Sequence, residues 1–176
     1  FHTLQHQISV VFICLLLLSI FTITLINGLF LEKYYVSKKV EVLEEAKEVL
    51  SQMNLDDILQ YDTDIEEDKK GATDEISDEI ERSSSRNNLT WIIVNEENSG
   101  YYYWGENNMA KMLRSKLFGY INNLDQDMQH SRVLKKTDTC TMWQVHDRFA
   151  GMEYVECWGQ FDNGYYFLIR SPLESI

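Results

Sequence analysis

Two cysteines are placed where they could react with each other. Cys140 and Cys157 stand at nearly equal distances from a turn signal at residues 148–151. If the segments on either side are adjacent antiparallel strands, the two thiols face each other across the pair and would form a disulfide in an oxidising compartment. Two separate small core residues are the alternative, because unpaired cysteines are commonly buried. The sequence leaves the choice between these interpretations open.

A second group of residues has types that suit ligand binding. Aromatic side chains recur on predicted strands, and Arg170 ends the last of these strands. In a pocket, the guanidinium would clamp a carboxylate while the rings lined the cavity. The plainer alternative is that the rings form the core and that Arg170 pairs with an acid on the sheet. The candidate ligand-binding residues are Tyr103, Trp104, Trp143, Trp158 and Arg170, with Tyr154 as a further lining ring.

Motifs for metal binding and catalysis are absent from the sequence. His130 and His146 have no neighbouring Cys or His at ligand spacing. Acidic residues alternate at 62–68 as in a calcium loop, but Glu67 and Thr73 stand where such a loop needs Gly and Glu. Nucleophile elbows, phosphate-binding loops and dinucleotide-binding glycine patterns are also missing. We therefore expect no metal, no cofactor and no catalytic site in this chain, with weak cation binding by the acidic segment as the alternative.

The charge balance limits the kinds of partner. The chain has 28 acidic and 16 basic side chains and a net charge of -12, and no Asp, Glu, Lys or Arg lies in the first 31 residues. Nucleic-acid binding needs clustered Lys and Arg, which this acidic sequence lacks. Hydrophobic residues make up 44% and aromatic residues 12% of the chain, which is enough for a packed core. Cations or basic partners fit this balance better than nucleic acid.

The N-terminal segment is predicted to cross a membrane. Residues 8–31 carry no charge, and at about 1.5 Å per residue such a helix exceeds the ~30 Å hydrocarbon core of a bilayer. A cleaved signal peptide would need a basic start and a small-residue cleavage site, and neither is visible. Lys33, Lys38 and Lys39 follow the segment, so charge counting alone favours a cytoplasmic C-terminal side. Because the sequence begins at Phe1, basic residues could precede it, and charge leaves the orientation open.

A helix is predicted to follow the membrane segment at residues 32–53. Its apolar residues recur three or four positions apart, which is one stripe of a helix. Val36, Leu43 and Leu50 are also seven apart, which would suit pairing with the same helix of a second copy in a homodimer. Packing against the chain's own domain explains the stripe equally well. Residues 56–85 are then interpreted as a solvated acidic connection with a short helix at 73–84.

The rest of the chain predicts a sheet and one covering helix. Residues 89–94 and 101–104 form a hairpin. An amphipathic helix at 108–128 has Asn108 as its N-cap and places Lys116 away from the apolar stripe. Further strands are predicted at 132–136, 139–147, 152–160 and 165–170, with Asn163-Gly164 as the strongest turn signal. The fold class is α+β, a central antiparallel sheet flanked by helices on one or both faces.

The end of the sequence carries a helix-start pattern. Ser171 is a capping residue, Pro172 suits the first helical position and Glu174 suits the third, which together form a capping box. An exit helix is therefore predicted to begin there, at residues 171–176.

The stretch at residues 153–176 reads EYVECWGQFDNGYYFLIRSPLESI. It resembles the end of the extracytoplasmic region in sensor histidine kinases of Gram-positive-type bacteria, where an Arg-x-Pro-Leu-Glu-x-Ile segment leads from the sheet into a second transmembrane helix. The resemblance implies a PAS-like or Cache-like sensor domain. It also implies that the phosphoacceptor His and the ATP-binding domain follow that second helix. The four His residues of this chain match no phosphoacceptor motif, so no catalytic residue is carried over.

These observations predict three parts: a transmembrane anchor at residues 1–31, an extracytoplasmic sensor domain at 32–170 and the start of an exit helix at 171–176. The expected function is signal sensing for a two-component sensor histidine kinase in the cell membrane. Its partners would be the membrane, a second copy, and an unknown small-molecule, peptide or cation ligand. A membrane-tethered scaffold, or the same sensor coupled to a chemotaxis or cyclic-dinucleotide output, is the alternative. The chain itself would not be an enzyme, whereas its parent protein would be a kinase.

Overall fold

A computed structural model of the chain describes residues 2–53, 75–95, 100–106 and 109–173. The chain divides into two compact units, Phe1–Lys38 and Lys39–Ile176. Helix α1, His2–Ser51, contributes residues to both. In the first unit the large apolar side chains of α1 are exposed, from Leu4 to Leu31. This part of the helix is long and apolar enough to cross a membrane.

The second unit contains an antiparallel sheet. Among the described residues, six strands are arranged in the order β2-β1-β6-β5-β4-β3. The strands are β1 (Thr90–Val94), β2 (Tyr101–Trp104), β3 (Arg132–Lys136), β4 (Cys140–Asp147), β5 (Met152–Gln160) and β6 (Tyr166–Pro172). In the described part of this unit, the helices besides the end of α1 are α2 (Glu75–Asn87) and α3 (Ala110–Ile121), and a 3-10 helix spans Gln126–His130.

The sheet has a core on each face because successive side chains of a strand point to opposite sides. On one face, which we call the α1 face, Leu43 and Leu50 of α1 and Ile80 of α2 are fully buried against the strands. On the other, the α3 face, Leu113 and Leu117 of α3 are fully buried. The predicted α+β class with helices flanking an antiparallel sheet is confirmed. The stripe at Leu43 and Leu50 packs in the chain's own core, and pairing with a second copy stays a prediction.

The four predicted strands after α3 and the hairpin before it are confirmed to within two residues at their ends. The turn signal at Asn163-Gly164 is also confirmed: Gly164 has a φ of 89°, which a residue with a side chain rarely adopts. Of the acidic connection predicted at residues 56–85, residues 56–74 lie outside the described residues. The short helix expected at 73–84 appears as α2.

The predicted helix at 108–128 is wrong in length. Helix α3 ends at Ile121, and Asn123 adopts a left-handed φ of 55°. The backbone N–H groups of Leu124 and Asp125 then donate to the Gly119 carbonyl, which satisfies the end of the helix. Met128 lies in the separate 3-10 helix, and the predicted N-cap Asn108 lies outside the described residues.

The predicted exit helix does not begin at Pro172. Strand β6 continues through Ser171 and Pro172, which pair with Val155 and Tyr154 of β5. The backbone N–H of Leu173 also donates to the Glu153 carbonyl over 2.9 Å. Pairing with β5 satisfies these backbone groups and so overrides the local capping pattern. Residues 174–176 of that prediction lie outside the described residues.

Candidate functional site

The polar site with the deepest burial lies on the α3 face around Arg170. This β6 side chain is only 1% exposed. Its Nη1 atom lies 2.9 Å from Asp147 Oδ2 and 3.8 Å from Glu156 Oε1. Its guanidinium carbon lies 3.5 Å from the ring centroid of Tyr154. Strands β6, β5 and β4 are neighbours in the sheet. Because alternate residues of a strand point to the same face, Arg170, Glu156 and Asp147 can lie together on one face.

Glu156 connects this site to α3 and to the aromatic residues. Its Oε2 atom accepts hydrogen bonds from the Tyr120 hydroxyl over 2.7 Å and from Trp143 Nε1 over 3.0 Å. Its Oε1 atom is buried and has no hydrogen-bond partner among the described residues. One oxygen of the carboxylate is therefore fixed by the protein, and the other retains its capacity to accept a hydrogen bond.

Lys116 extends the site towards the 3-10 helix. Its Nζ atom lies 2.9 Å from Asp127 Oδ2 and 3.5 Å from Asp147 Oδ2. The prediction that Lys116 points away from the apolar stripe is wrong. The residue is buried, because it lies three positions after Leu113 and four before Tyr120 on the covered side of the helix, where it meets its acid partners. Arg148 adds a bond from Nε to Asp127 Oδ1 over 2.9 Å.

We call these six charged residues the polar network. It consists of Lys116, Asp127, Asp147, Arg148, Glu156 and Arg170. Three cations face three anions, so the network has no formal excess charge. This balance matters because an unpaired charge in such a buried position would cost several kcal/mol.

The ionisation of the network follows from its contacts. Burial alone would raise the pKa of Asp147, but the Ala150 N–H and the charges of Lys116 and Arg170 lower it below its usual value. Burial likewise disfavours the charged form of Arg170, yet Glu156 and its other acidic neighbours raise its pKa. The Tyr120 pKa is raised, first by burial and then by Glu156, so its hydroxyl stays protonated and donates to Glu156.

Four of the five candidate ligand-binding residues share the α3 face. Trp143 and Trp158 lie 5.4 Å apart between ring centroids. Tyr103 lies on the same face in β2, where its hydroxyl donates to the Glu106 carbonyl over 2.6 Å. Trp104 is the exception, since it packs against the core of the α1 face. The aromatic residues are thus core as well as candidate lining, and the binding role of all five stays a prediction.

Several buried groups on the α3 face retain hydrogen-bonding capacity. Arg170 Nη2, Glu156 Oε1 and Trp158 Nε1 are buried and have no hydrogen-bond partner within the described part of the chain. Two donors and one acceptor therefore lie on neighbouring strands β5 and β6. In chemical terms this arrangement suits recognition of a polar ligand, whereas the described residues contain no group of three His, Cys, Asp or Glu placed to hold a metal ion.

The sequence reasoning missed most of the polar network. Glu156 could have been found, because it lies two residues before the candidate residue Trp158 on the same strand. Its side chain therefore points to the same face of the sheet. Lys116, Asp127 and Asp147 come from three separate elements, and no pattern in the sequence links them.

The predicted cysteine pair is offset in the structure. Directly opposite Cys140 is Gly159, and directly opposite Cys157 is Met142. The two cysteines are therefore diagonal neighbours on the α1 face rather than facing partners, and both are buried free thiols.

No protein family, curated protein or solved structure was found to match the chain.

Proposed function

We propose that this chain is the membrane-anchored, extracytoplasmic input domain of a signal receptor of the sensor histidine kinase class, with a PAS-like or Cache-like sensor fold. Three features support the proposal. A helix long enough to cross a membrane leads into an α+β domain. The sheet of that domain carries buried polar groups with unused hydrogen-bonding capacity. The Arg-x-Pro-Leu-Glu-x-Ile sequence by which the chain resembles such receptors begins at Arg170, near the end of the last strand.

The observation that carries the proposal is the position of two adjacent residues in β6. Arg170 points to the α3 face and belongs to the polar network. Ser171 points to the α1 face, where its hydroxyl accepts a hydrogen bond from Lys39 of α1 over 2.8 Å. A change in the polar network would therefore displace a strand that is bonded directly to the helix arriving from the membrane segment. Such a strand can act as the two-state element that a receptor needs.

The ligand best suited to the network is a zwitterionic small molecule, because its carboxylate and its ammonium group together add no net charge to the balanced network. Arg170 Nη2 would donate to the carboxylate, and Glu156 Oε1 would accept from a donor group elsewhere on the ligand. Because both groups are already buried, the ligand would supply partners without a further cost of removing these groups from water. Trp158 Nε1 offers a further donor on the adjacent position of β5.

Kinase coupling is tested in the natural full-length polypeptide in membrane vesicles incubated with labelled ATP. We expect acid-labile, base-stable phosphate, which is the signature of phosphohistidine. The Ser171→Ala variant should change the rate of phosphate incorporation, whereas Ser85→Ala, at an exposed position of α2, should leave it unchanged. Absence of phosphohistidine from the wild-type polypeptide would contradict the kinase assignment.

Ligand binding is tested separately by thermal unfolding of the chain in detergent with a panel of zwitterionic small molecules such as amino acids. At a ligand concentration of about 100 Kd, binding should stabilise the folded state by about 2.7 kcal/mol. The Arg170→Lys variant keeps the charge but loses the planar pair of donors, so it should lose most of this stabilisation. If no compound raises the unfolding temperature, or if Arg170→Lys responds as the wild type does, the proposed role of Arg170 is wrong.

A further inference from the structure

The α1 face contains a cluster of reactive groups that the receptor proposal does not use. Cys140 begins strand β4, directly after the turn from β3. The Thr137 hydroxyl lies 3.2 Å from its sulfur, and Lys47 Nζ of α1 lies 3.8 Å from the same sulfur. A hydroxyl and an ammonium group beside one sulfur are the contacts that stabilise a thiolate.

The second thiol of the cluster is Cys157. It lies diagonally across from Cys140 on the adjacent strand β5 and is fully buried. Diagonal Cα atoms of an antiparallel pair are about 7–8 Å apart and the Cβ atoms are closer. This Cα separation is slightly larger than that of an unstrained disulfide, so a bridge requires a small shift of the two strands. Gly159, directly opposite Cys140, permits a close approach of the strands, because a Cβ there would overlap the Thr139 carbonyl oxygen.

The two thiols differ in ionisation. A hydrogen bond from the Cys157 thiol, followed by the contacts of Thr137 and Lys47, lowers the pKa of Cys140 to about 5 although burial opposes it. The same hydrogen bond, together with burial, raises the pKa of Cys157 well above its usual value. Other charged groups that act on the pair are Glu44 of α1 and Lys135 of β3, which form an ion pair with each other.

We propose that Cys140 and Cys157 form a reactive dithiol that exchanges with low-molecular-weight disulfides, Cys140 as the nucleophile and Cys157 as the resolving thiol. The Cys140 thiolate attacks one sulfur of the disulfide RSSR, forms a mixed disulfide and releases RS⁻. Cys157 then gives up its proton and attacks the Cys140 sulfur, which releases the second RS⁻. Two protein thiols are oxidised to one disulfide, and RSSR is reduced to two RSH.

Formation of this disulfide would alter the contact between helix α1 and the sheet. In the reduced protein, the Cys140 sulfur is a charged acceptor for Lys47. In the disulfide this sulfur is neutral, so Lys47 loses its ionic partner in a half-buried position. The exchange chemistry depends only on the cluster and stands whether or not the chain is a receptor input domain.

The test uses the full chain in detergent, with Cys14→Ser to remove the exposed thiol of the apolar helix. After incubation with glutathione disulfide, intact mass should show loss of two hydrogens and no adduct. Cys157→Ala should instead accumulate one glutathione adduct, and Cys140→Ala should form none. Two free thiols in the Cys14→Ser protein after incubation, or an adduct on Cys140→Ala but not on Cys157→Ala, would overturn the proposal.

The rate of reaction with iodoacetamide provides a second measurement. In the Cys157→Ala background, the rate should already approach its plateau below pH 8, because Thr137 and Lys47 still stabilise the thiolate. Lys47→Met should lower the rate at pH 7 several-fold. Lys136→Met removes a charge from an exposed position of β3 and should not change it. Equal rates for the Lys47 and Lys136 variants would show that Lys47 does not activate Cys140. Circular dichroism of each variant shows whether a changed rate of reaction with iodoacetamide is instead caused by unfolding.

Discussion

Lys39 Nζ of helix α1 donates a hydrogen bond over 2.8 Å to the Ser171 hydroxyl of the last strand, β6. The Ser171 hydroxyl in turn donates to the Asn87 carbonyl at the end of α2 over 3.1 Å. Burial lowers the pKa of Lys39 from its usual value. Three elements that are far apart in the sequence therefore meet at one fully buried hydroxyl, and a shift of β6 cannot occur without a change in the contacts of α1.

Replacement of this hydroxyl should destabilise the fold. In Ser171→Ala, Lys39 loses an acceptor and the Asn87 carbonyl loses a donor, so we expect a loss of about 1–3 kcal/mol in the free energy of unfolding. Urea unfolding of the chain in detergent, followed by tryptophan fluorescence, measures this. Ser85→Ala, at an exposed position of α2, is the matched control and should change the value by less than about 0.5 kcal/mol. Equal midpoints for the two variants would show that the Ser171 contacts contribute nothing to stability.

The covering role of α3 gives a second prediction. Leu117 is fully buried between α3 and the sheet, so Leu117→Asp would bury an unpaired carboxylate and remove apolar contacts. We expect at least about 4 kcal/mol of destabilisation, which is enough to unfold a domain of ordinary stability. Ser115→Asp, at an exposed position of the same helix, controls for the effect of the charge on the helix. If both variants melt within a degree or two of the parent, α3 does not cover the core.

The elements of this fold were predictable where one local pattern determines them. The bounds of β4 and β5 were predictable, because two runs of strand-forming residues flank a short turn. Their register was not read correctly, since Cys140 lies opposite Gly159 and not opposite Cys157. The end of α3 was not predictable, because the apolar spacing continues to Met128 while the left-handed conformation of Asn123 ends the helix. The capping pattern at Ser171 failed for a related reason: pairing with β5 is a long-range interaction that outweighs a local preference.

The candidate site was predictable only in part. Arg170 was identified from its position at the end of the last strand, and pairing with acids on the sheet was one of its expected roles. Its actual partner Asp147 stands beside a turn, where Asp is common for local reasons. Indeed, the other oxygen of Asp147 accepts from the Phe149 and Ala150 N–H groups. The turn already explains an Asp at this position, so the sequence alone does not indicate that Asp147 also forms an ion pair.

Stability should fall with acidification because of Asp147. Its pKa is lower in the folded state than in the unfolded chain, where Asp has a value of about 3.9. Its contribution is therefore complete above the unfolded-state pKa and is lost as the pH falls through the folded-state pKa. Urea midpoints measured from pH 6 down to pH 2 should decrease most steeply below about pH 4.

The variant that isolates this effect is Asp147→Asn, which keeps an acceptor oxygen for the turn but removes the charge. Its urea midpoint should be lower at pH 6 and should depend less on pH. Asp162→Asn, in the exposed turn between β5 and β6, is the matched control. A parent-like pH dependence in Asp147→Asn would show that other acids cause the acid sensitivity.

The proposed orientation across the membrane predicts which residues react from outside the cell. In a chain whose native cysteines are replaced by Ser, Asn163→Cys lies in an exposed turn of the folded domain. An impermeant maleimide should label it in intact cells. The control is His6→Cys, at an exposed position before the apolar part of α1, which should be labelled only after lysis. The reverse pattern would place the domain in the cytoplasm and exclude an extracytoplasmic sensor.

The polar network predicts that removal of one charge costs more than removal of two opposite charges. In Arg170→Met, Glu156 and Asp147 lose their shared cation in a buried position, so we expect a loss of about 3–5 kcal/mol in the free energy of unfolding. Glu156→Gln keeps an acceptor for Tyr120 and Trp143. The double variant should therefore be more stable than Arg170→Met, by about 1–3 kcal/mol, since one unpaired carboxylate is gone.

Urea unfolding of the parent, the two single variants and the double variant completes this double-mutant cycle. Lys136→Met, at an exposed position of β3, controls for the replacement of a cation by an apolar side chain and should stay within about 0.5 kcal/mol of the parent. If Arg170 and Glu156 interact, the second substitution costs less stability when the first is already present. The double variant then loses less free energy of unfolding than the sum of the two single variants. If the effects of the two substitutions simply add, Arg170 and Glu156 do not interact, and β6 is not connected to β5 through their charges.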